Sequence, residues 1–156
     1  MTNTIPVEVF LDNIRTLLTE TFEQVRGIYL DRGTSLFETL ETITPEMASI
    51  PVSATCATLA AQVEHTTFYI DLLVGNLTGN PPQQVDWSEI WNRVSAVTPE
   101  AWETSKARLK SSYQRVLAVL DGVKWDDNRR VGEIIAIVAH TAYHLGEIRQ
   151  ALCTLR

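Results

Sequence analysis

Histidine is rare in this chain, and every histidine lies within a segment that has the apolar pattern of a helix. There are three histidines in 156 residues. His140 and His144 stand four residues apart in the apolar run Val131–Leu152, so in a helix both side chains project from one face, one turn apart. His65 lies inside a second apolar helical pattern. Neutral imidazole is a good ligand for zinc, nickel and iron, and sites in helical bundles are built from facing helices. The three histidines therefore predict one metal site between two helices.

The alternative interpretation is that these histidines are ordinary core residues. A pair at i and i+4 is a weak signal alone, because a histidine in an apolar stripe is more often hydrogen-bonded inside the core or partly exposed. Burying two imidazoles side by side without partners costs free energy, however, and this favours a shared metal. The core interpretation predicts a structural bundle that takes up no metal.

Other kinds of metal site do not fit the spacing. The segment His-Thr-Ala-Tyr-His lacks the general-base glutamate of a His-Glu-x-x-His zinc protease, and the paired Glu-x-x-His motifs of di-iron bundles are absent. Cys56 and Cys153 each lie nine residues from a histidine, which is half a circle away around a helix. We expect both cysteines to be small core residues that do not reach the metal. Three histidines leave coordination positions open, which is typical of a catalytic rather than a closed structural site.

Further side chains are candidates for the surroundings of the site, either as partners of the imidazoles or as walls of a pocket: Glu133, Glu147, Phe68, Tyr69 and Tyr143. The two glutamates lie seven residues before and after His140, so they share its helix face and could accept hydrogen bonds from imidazole N–H groups. For Glu133, a solvated charge near the helix end is the favoured interpretation. The aromatic side chains either wall the pocket or pack in the core, and Tyr143 is expected at the pocket rim.

Four segments with a helical apolar period must position these residues: Pro6 to about Leu30, Ser53–Leu77, Thr98–Gly122, and a last helix that follows Asp126-Asp127-Asn128 and reaches Leu152. The third segment begins with Thr-Pro-Glu, which is typical of a helix start because the threonine caps the helix and proline suits its first position. These segments predict an all-α fold, a four-helix bundle, in a single domain over residues 1–156.

Two long inter-helix connections join these helices. Residues 32–52 form the first, with a short helical piece predicted at Ser35–Ile43. The second carries Asp86–Trp91, which we predict to be a helical turn that plugs one end of the bundle. Connections of this length are compatible with a bundle whose neighbouring segments are not all joined by tight turns.

The overall composition excludes several classes of partner. The net charge is −6 and no basic run occurs, which argues against binding to nucleic acid or to an anionic membrane surface. No apolar run approaches the ~18–20 residues of a membrane span, and the N-terminus lacks the pattern of a secretory signal. Two distant cysteines without a Cys-x-x-Cys spacing fit a reducing cytoplasm.

Two motifs resemble a known family. The segments Ala61-Gln-Val-Glu-His65 and Ala139-His140-x-x-x-His144-x-Gly146-Glu147-Ile148-Arg149, within a bundle pattern over nearly the whole chain, resemble the DinB-like (DinB/YfiT-type) superfamily of metalloenzymes. The resemblance implies that the three histidines bind one divalent ion, which would be zinc, nickel, iron or manganese. Many relatives have glutamine at the position of Glu147, so this chain has an additional acid near the site.

The resemblance also implies a class of chemistry. Characterised members include thiol-dependent S-transferases and a mycothiol-dependent isomerase. We therefore expect a metal-dependent transferase that uses a low-molecular-weight thiol and a small-molecule substrate. The alternatives are a metal-dependent hydrolase and a non-catalytic, stress-related protein that binds a metal or a small ligand. A stripe of small residues on the last helix and the habit of the family suggest a homodimer; the stripe comprises Gly132, Ala139, Ala142 and Gly146.

Overall fold

The fold is all-α, as the sequence predicts. The computed structural model describes residues 4–82, Asp86, Trp91 and 94–155, and no strand occurs among them. The helices with defined bounds are α1 (Val7–Phe22), α2 (Leu36–Leu40), α3 (Pro45–Ala48), α4 (Leu59–Leu77), α5 (Pro99–Gly122) and α6 (Asn128–Leu155). Four of them are long, and the two short ones lie in the predicted first connection. Among the described residues, no helix combines the length and the apolar character needed to cross a membrane.

Helix α4 packs against both α5 and α6. Ion pairs join Glu64 to Arg108 at 2.9 Å and Asp71 to Arg115. From the first ion pair to the second, the residue numbers increase by seven on both helices, so α4 and α5 are parallel. Parallel neighbours need a long crossover between them. The core around them is closed by large side chains with no more than 1 % exposure, among them Trp102, Tyr113 and Phe22. Helix α4 is thus held on two sides, which fixes the position of its histidine.

The first helix is shorter than predicted. Its apolar period continues to Ile28, yet the helix ends at Phe22, and Ile28 is 55 % exposed. The reason is the buried carboxylate of Glu20, which accepts hydrogen bonds of 2.7–3.0 Å from the backbone N–H groups of residues 26 and 28–30. Gly27 allows the chain to turn there, with a φ of 82°, a value that side chains other than glycine rarely adopt. The chain after α1 therefore folds back on Glu20 instead of continuing the helix.

The second long helix begins later than predicted, while the starts of α5 and α6 agree with the sequence. The expected start at Ser53 is wrong because the hydroxyl of Thr58 caps the helix, accepting from the N–H of Ala61 at 3.2 Å. Thr98 caps α5 in the same way, accepting from the N–H of Ala101 at 3.2 Å. These threonines replace helical backbone acceptors, as N-caps do.

The placement of the cysteines is also different from the prediction. Both Cys56 and Cys153 are exposed, not core residues. Cys56 precedes α4, so the helical rotation on which the prediction relied does not apply to it, and Cys153 lies on the outer face of α6. The predicted helical plug at residues 86–91 lies outside the described residues, apart from Asp86 and Trp91.

Candidate metal centre

The three histidines converge on one point between α4 and α6. The Nε2 atom of His140 lies 3.2 Å from the Nε2 atoms of both His65 and His144. All three ligand atoms lie within 4.8 Å of one another. Two nitrogens bound at 2.0–2.1 Å to a tetrahedral ion are separated by about 3.3 Å. The three side chains could therefore hold a metal ion without a rearrangement of the helices.

The direction of the two helices produces this convergence. His65 on α4 meets His140 on α6, and one turn earlier on α4 the side chain of Gln62 meets His144. The contacts run in opposite directions along the two helices, so α4 and α6 are antiparallel. His65 and His144 are only 8 % and 5 % exposed, and His140 is half-buried. Each ring is thereby confined between two packed helices.

His144 is oriented by hydrogen bonds at its second ring nitrogen. Its Nδ1 lies 2.8 Å from Oε2 of Glu147 and 2.6 Å from Oε1 of Gln62. A carboxylate can only accept, so Nδ1 carries the hydrogen and Nε2 keeps its lone pair. This lone pair points to the other two histidines. An acidic or amide partner that fixes the tautomer in this way is the usual companion of a metal-binding histidine.

The other two rings are held by aromatic stacking. Tyr69 stacks on His140 with ring centroids 3.6 Å apart and 10° between the planes. Trp91 stacks on His65 at 4.3 Å and 27°. The Nδ1 atoms of His65 and His140 are buried and have no hydrogen-bond partner among the described residues. Hydrogen bonding around the site is thus complete at only one of the three imidazoles.

The electrostatic surroundings keep the imidazoles neutral. Burial, reinforced by neighbouring histidines, lowers the pKa of His65 to about 4 and that of His140 to about 3. Burial also lowers the pKa of His144, although the Glu147 carboxylate opposes this effect. A histidine must be deprotonated to bind a metal. At neutral pH the site is therefore already in the ionisation state that metal binding requires.

The predicted surrounding residues have different positions. Tyr69 and Glu147 directly contact histidines of the candidate site, whereas Tyr143 is 61 % exposed and donates its O–H to Glu147 Oε1 at 2.6 Å. Glu133 forms an ion pair of 3.0 Å with Arg129 near the start of α6, and its side chain is 12 % exposed, so it is less solvated than the favoured interpretation assumed. Phe68 is half-buried on α4.

Sequence reasoning missed two residues of the site. Gln62 lies three residues before His65, so it faces the same neighbouring helix, and this spacing could have identified it once α4 and α6 were known to be antiparallel. Trp91 belongs to the second long connection, and no local pattern in that connection indicates contact with His65.

A cleft of about 640 Å³ opens on the far side of His144. Gln62, Glu147 and Tyr143 line the wall next to the histidine. Most other lining side chains are small or apolar: Val52, Cys56, Ala57, Leu59 and Ala151. The cleft lies on the Nδ1 side of His144, so a molecule bound in it would touch the partners of the imidazole and not the three Nε2 atoms.

Comparisons with protein-family models, with curated proteins and with solved structures find no match for this chain.

Proposed function

We propose that this protein is a DinB-like four-helix bundle that binds one divalent ion, zinc, nickel, iron or manganese, through His65, His140 and His144. One observation carries the proposal: one ring nitrogen from each of the three histidines lies within 4.8 Å of the others across two helices, while burial lowers the pKa of all three rings. Three neutral ligands leave positions of the ion open to other molecules.

The proposed activity is the transfer of a low-molecular-weight thiol to a small electrophilic substrate. A divalent ion in this site would lower the pKa of a thiol bound at one of the open coordination positions of the ion. In the transfer, the thiol sulfur forms a bond to an electrophilic carbon, the bond from that carbon to its leaving group breaks, and the thiol proton goes to the leaving group. The choice of a thiol rests on the resemblance of the two histidine motifs to the DinB-like superfamily.

The position of Glu147 favours the transferase over the hydrolase. A hydrolase needs a general base close to the attacking water. Glu147 is bonded to Nδ1 of His144, on the opposite side of the ring from the Nε2 atoms, and its other oxygen accepts from Tyr143. Its carboxylate is therefore suited to orienting His144, and thiol activation requires no additional base.

We also propose that the outer face of α6 contacts a second copy of the chain. Gly132, Ala139 and Gly146 are exposed on this face. A Cβ added to Gly132 or Gly146 would meet nothing within 4 Å, so packing within the chain does not explain these two glycines. Glycine inside a helix costs ~1 kcal/mol relative to alanine, and close approach of a second helix would give a reason for that cost. Sedimentation equilibrium tests this, since Ala139→Glu should then yield a monomer.

The first test of the function is metal content. Protein purified without a chelator or histidine tag should contain about one equivalent of a divalent metal by elemental analysis, and His140→Ala should contain almost none. Cys56→Ser/Cys153→Ser is the matched control and should retain the metal, because neither thiol belongs to the site. A parent protein that takes up no zinc, nickel, iron or manganese on dialysis would refute the metal site.

The second test is thiol transfer. Metal-loaded protein is incubated with cysteine, glutathione or coenzyme A and 1-chloro-2,4-dinitrobenzene, and formation of the thioether is followed by absorbance. We expect conjugation that requires metal and is absent in His140→Ala. If metal binds but no thiol is conjugated, the transferase proposal fails while the metal site stands. Hydrolysis of p-nitrophenyl acetate in the same samples would then favour the hydrolase.

A further inference from the structure

A second and larger cleft lies away from the histidines. Its volume is about 940 Å³, and it is formed by the C-terminal parts of α4 and α5 and the start of α6. Asp71 is the lining residue nearest to His65 along α4, and six residues of helix separate them by about 9 Å. The rest of the lining on α4 is farther away. This cleft is therefore distinct from the metal centre.

The cleft has an apolar floor and a wall built from backbone. Val74, Leu77 and Val119 on the floor are 6 %, 3 % and 7 % exposed. On the wall, the chain after α4 lies so close to Gly75 that a Cβ on this glycine would be 2.8 Å from the carbonyl oxygen of Asn80. Only glycine permits that approach. The floor can bury an apolar group, and the wall limits the size of that group.

The rim of the cleft is positive although the protein is acidic. The chain carries a net charge of −6, yet among the described residues that line this cleft Arg115, Lys124 and Arg130 are basic and Asp71 is the single acid. Arg115 is paired with Asp71, and Arg130 contacts Asp126 at 3.3 Å.

Lys124 is the cation of the rim that has no ion pair among the described residues. The guanidinium of Arg130 donates a hydrogen bond of 3.0 Å to the backbone carbonyl of Lys124, and this bond holds the backbone of Lys124 in place. Because the ammonium is uncompensated and the turn that carries it is fixed, an anionic group at the rim would find a cation already in position.

We propose that this cleft binds a small organic anion with an apolar body. The anionic group, a carboxylate or sulfonate, contacts Lys124, and the apolar body lies on the floor formed by Val74, Leu77 and Val119. An apolar floor with a few polar groups that fix orientation is the common form of small-molecule sites. A single uncompensated cation fits one negative charge and not a polyanion. This inference does not depend on the proposed metal chemistry.

The test compares two probes that differ only in charge. The probes are 1-anilinonaphthalene-8-sulfonate, which carries one negative charge, and the neutral N-phenyl-1-naphthylamine, both followed by fluorescence titration. We expect one sulfonate per chain to bind, with a dissociation constant that Lys124→Glu raises about tenfold, because an attraction becomes a repulsion. Binding of the neutral probe should not change in this variant. Lys110→Glu is the matched control on α5, outside this cleft, and should bind the sulfonate as the parent does.

A cleft-filling variant and a metal-site variant complete the design. Ala118→Trp places a large side chain in the cleft and should abolish binding of the sulfonate probe, while its circular dichroism spectrum stays that of the parent. His140→Ala should leave the dissociation constant unchanged, so failure of the metal site and failure of the anion site are distinguishable. Equal effects of Lys124→Glu and Lys110→Glu, or no saturable binding to the folded parent, would overturn the proposal.

Discussion

Glu20 and the three histidines are both buried polar clusters, but they are satisfied in different ways. The Glu20 carboxylate accepts from four backbone N–H groups of residues 26 and 28–30. At the histidine cluster, by contrast, Nδ1 of His65, Nδ1 of His140 and Oγ1 of the adjacent Thr141 are the described buried side-chain atoms that lack a partner. Buried polar groups are nearly always hydrogen-bonded, and exceptions call for an explanation.

The difference separates a structural cluster from a binding cluster. Around Glu20, the chain supplies every partner, so the interaction stabilises the fold and needs nothing else. Around the histidines, the chain supplies the geometry for a cation, and within the described part of the chain hydrogen bonding is completed only at His144. A buried polar cluster that lacks hydrogen-bond partners among the described residues is the better candidate for a ligand site.

The largest expected effect that tests this comparison is on stability. Glu20→Ala removes the acceptor of four backbone N–H groups in a buried position and should lower the free energy of unfolding by about 3 kcal/mol. Urea denaturation followed by circular dichroism measures the change. Glu8→Ala, an exposed acid in the first turn of the same helix, is the matched control and should change stability by less than about 0.5 kcal/mol.

His140→Ala provides the other half of this comparison. In metal-free protein it should destabilise the fold much less than Glu20→Ala, because it removes a half-buried ring with an unpartnered nitrogen. An equal loss of stability in the two variants would mean that the histidines are a structural cluster after all.

Acid should affect the Glu20 cluster in a defined window. Burial acts to raise the pKa of Glu20, but the four backbone hydrogen bonds outweigh it and lower the pKa from 4.5 to about 2. A carboxyl with a lower pKa in the folded than in the unfolded state stabilises the protein fully above the unfolded pKa. Its contribution is lost as the pH falls from about 4.5 towards 2. The stability difference between the parent and Glu20→Gln, measured by urea denaturation at several pH values, should therefore shrink over this range and be constant above it.

The sequence predicts one of the two clusters and not the other. Helix geometry alone puts His140 and His144, four residues apart, on one face of a helix. The apolar pattern places His65 inside a second helix, and these two features together predict that the three histidines meet. No pattern of side chains marks Glu20 as buried, because its partners are backbone N–H groups of a loop. The same apolar pattern extended the first helix to Leu30, since Val25 and Ile28 fit its period. Helix-internal geometry is readable from sequence, whereas loop geometry and the register between helices, on which Gln62 depends, are not.

A smaller effect is expected from the partners of His144. Glu147→Ala removes one of two acceptors at Nδ1, while Gln62 still accepts. We expect metal affinity to fall about tenfold, and about a hundredfold in Glu147→Ala/Gln62→Ala, the range found when such partners of metal-binding histidines are removed. Competition with a chromogenic chelator measures the affinity. Glu133→Ala is the matched control on the same helix, and an equal loss there would point to a general charge effect instead of orientation of His144.

The smallest effect is expected from Tyr143. Its hydroxyl bonds to Glu147, and this hydrogen bond together with the carboxylate charge raises the pKa of the phenol, so the O–H remains a donor at neutral pH. Tyr143→Phe removes the donor but leaves the bond between Glu147 and His144 intact. Because Tyr143 is 61 % exposed, water can replace its hydroxyl at little cost. Metal affinity in the chelator competition should therefore change less than about threefold. A loss as large as that of Glu147→Ala would show that Glu147 depends on Tyr143 for its position, and the group that orients His144 would then extend from the buried ring to the protein surface.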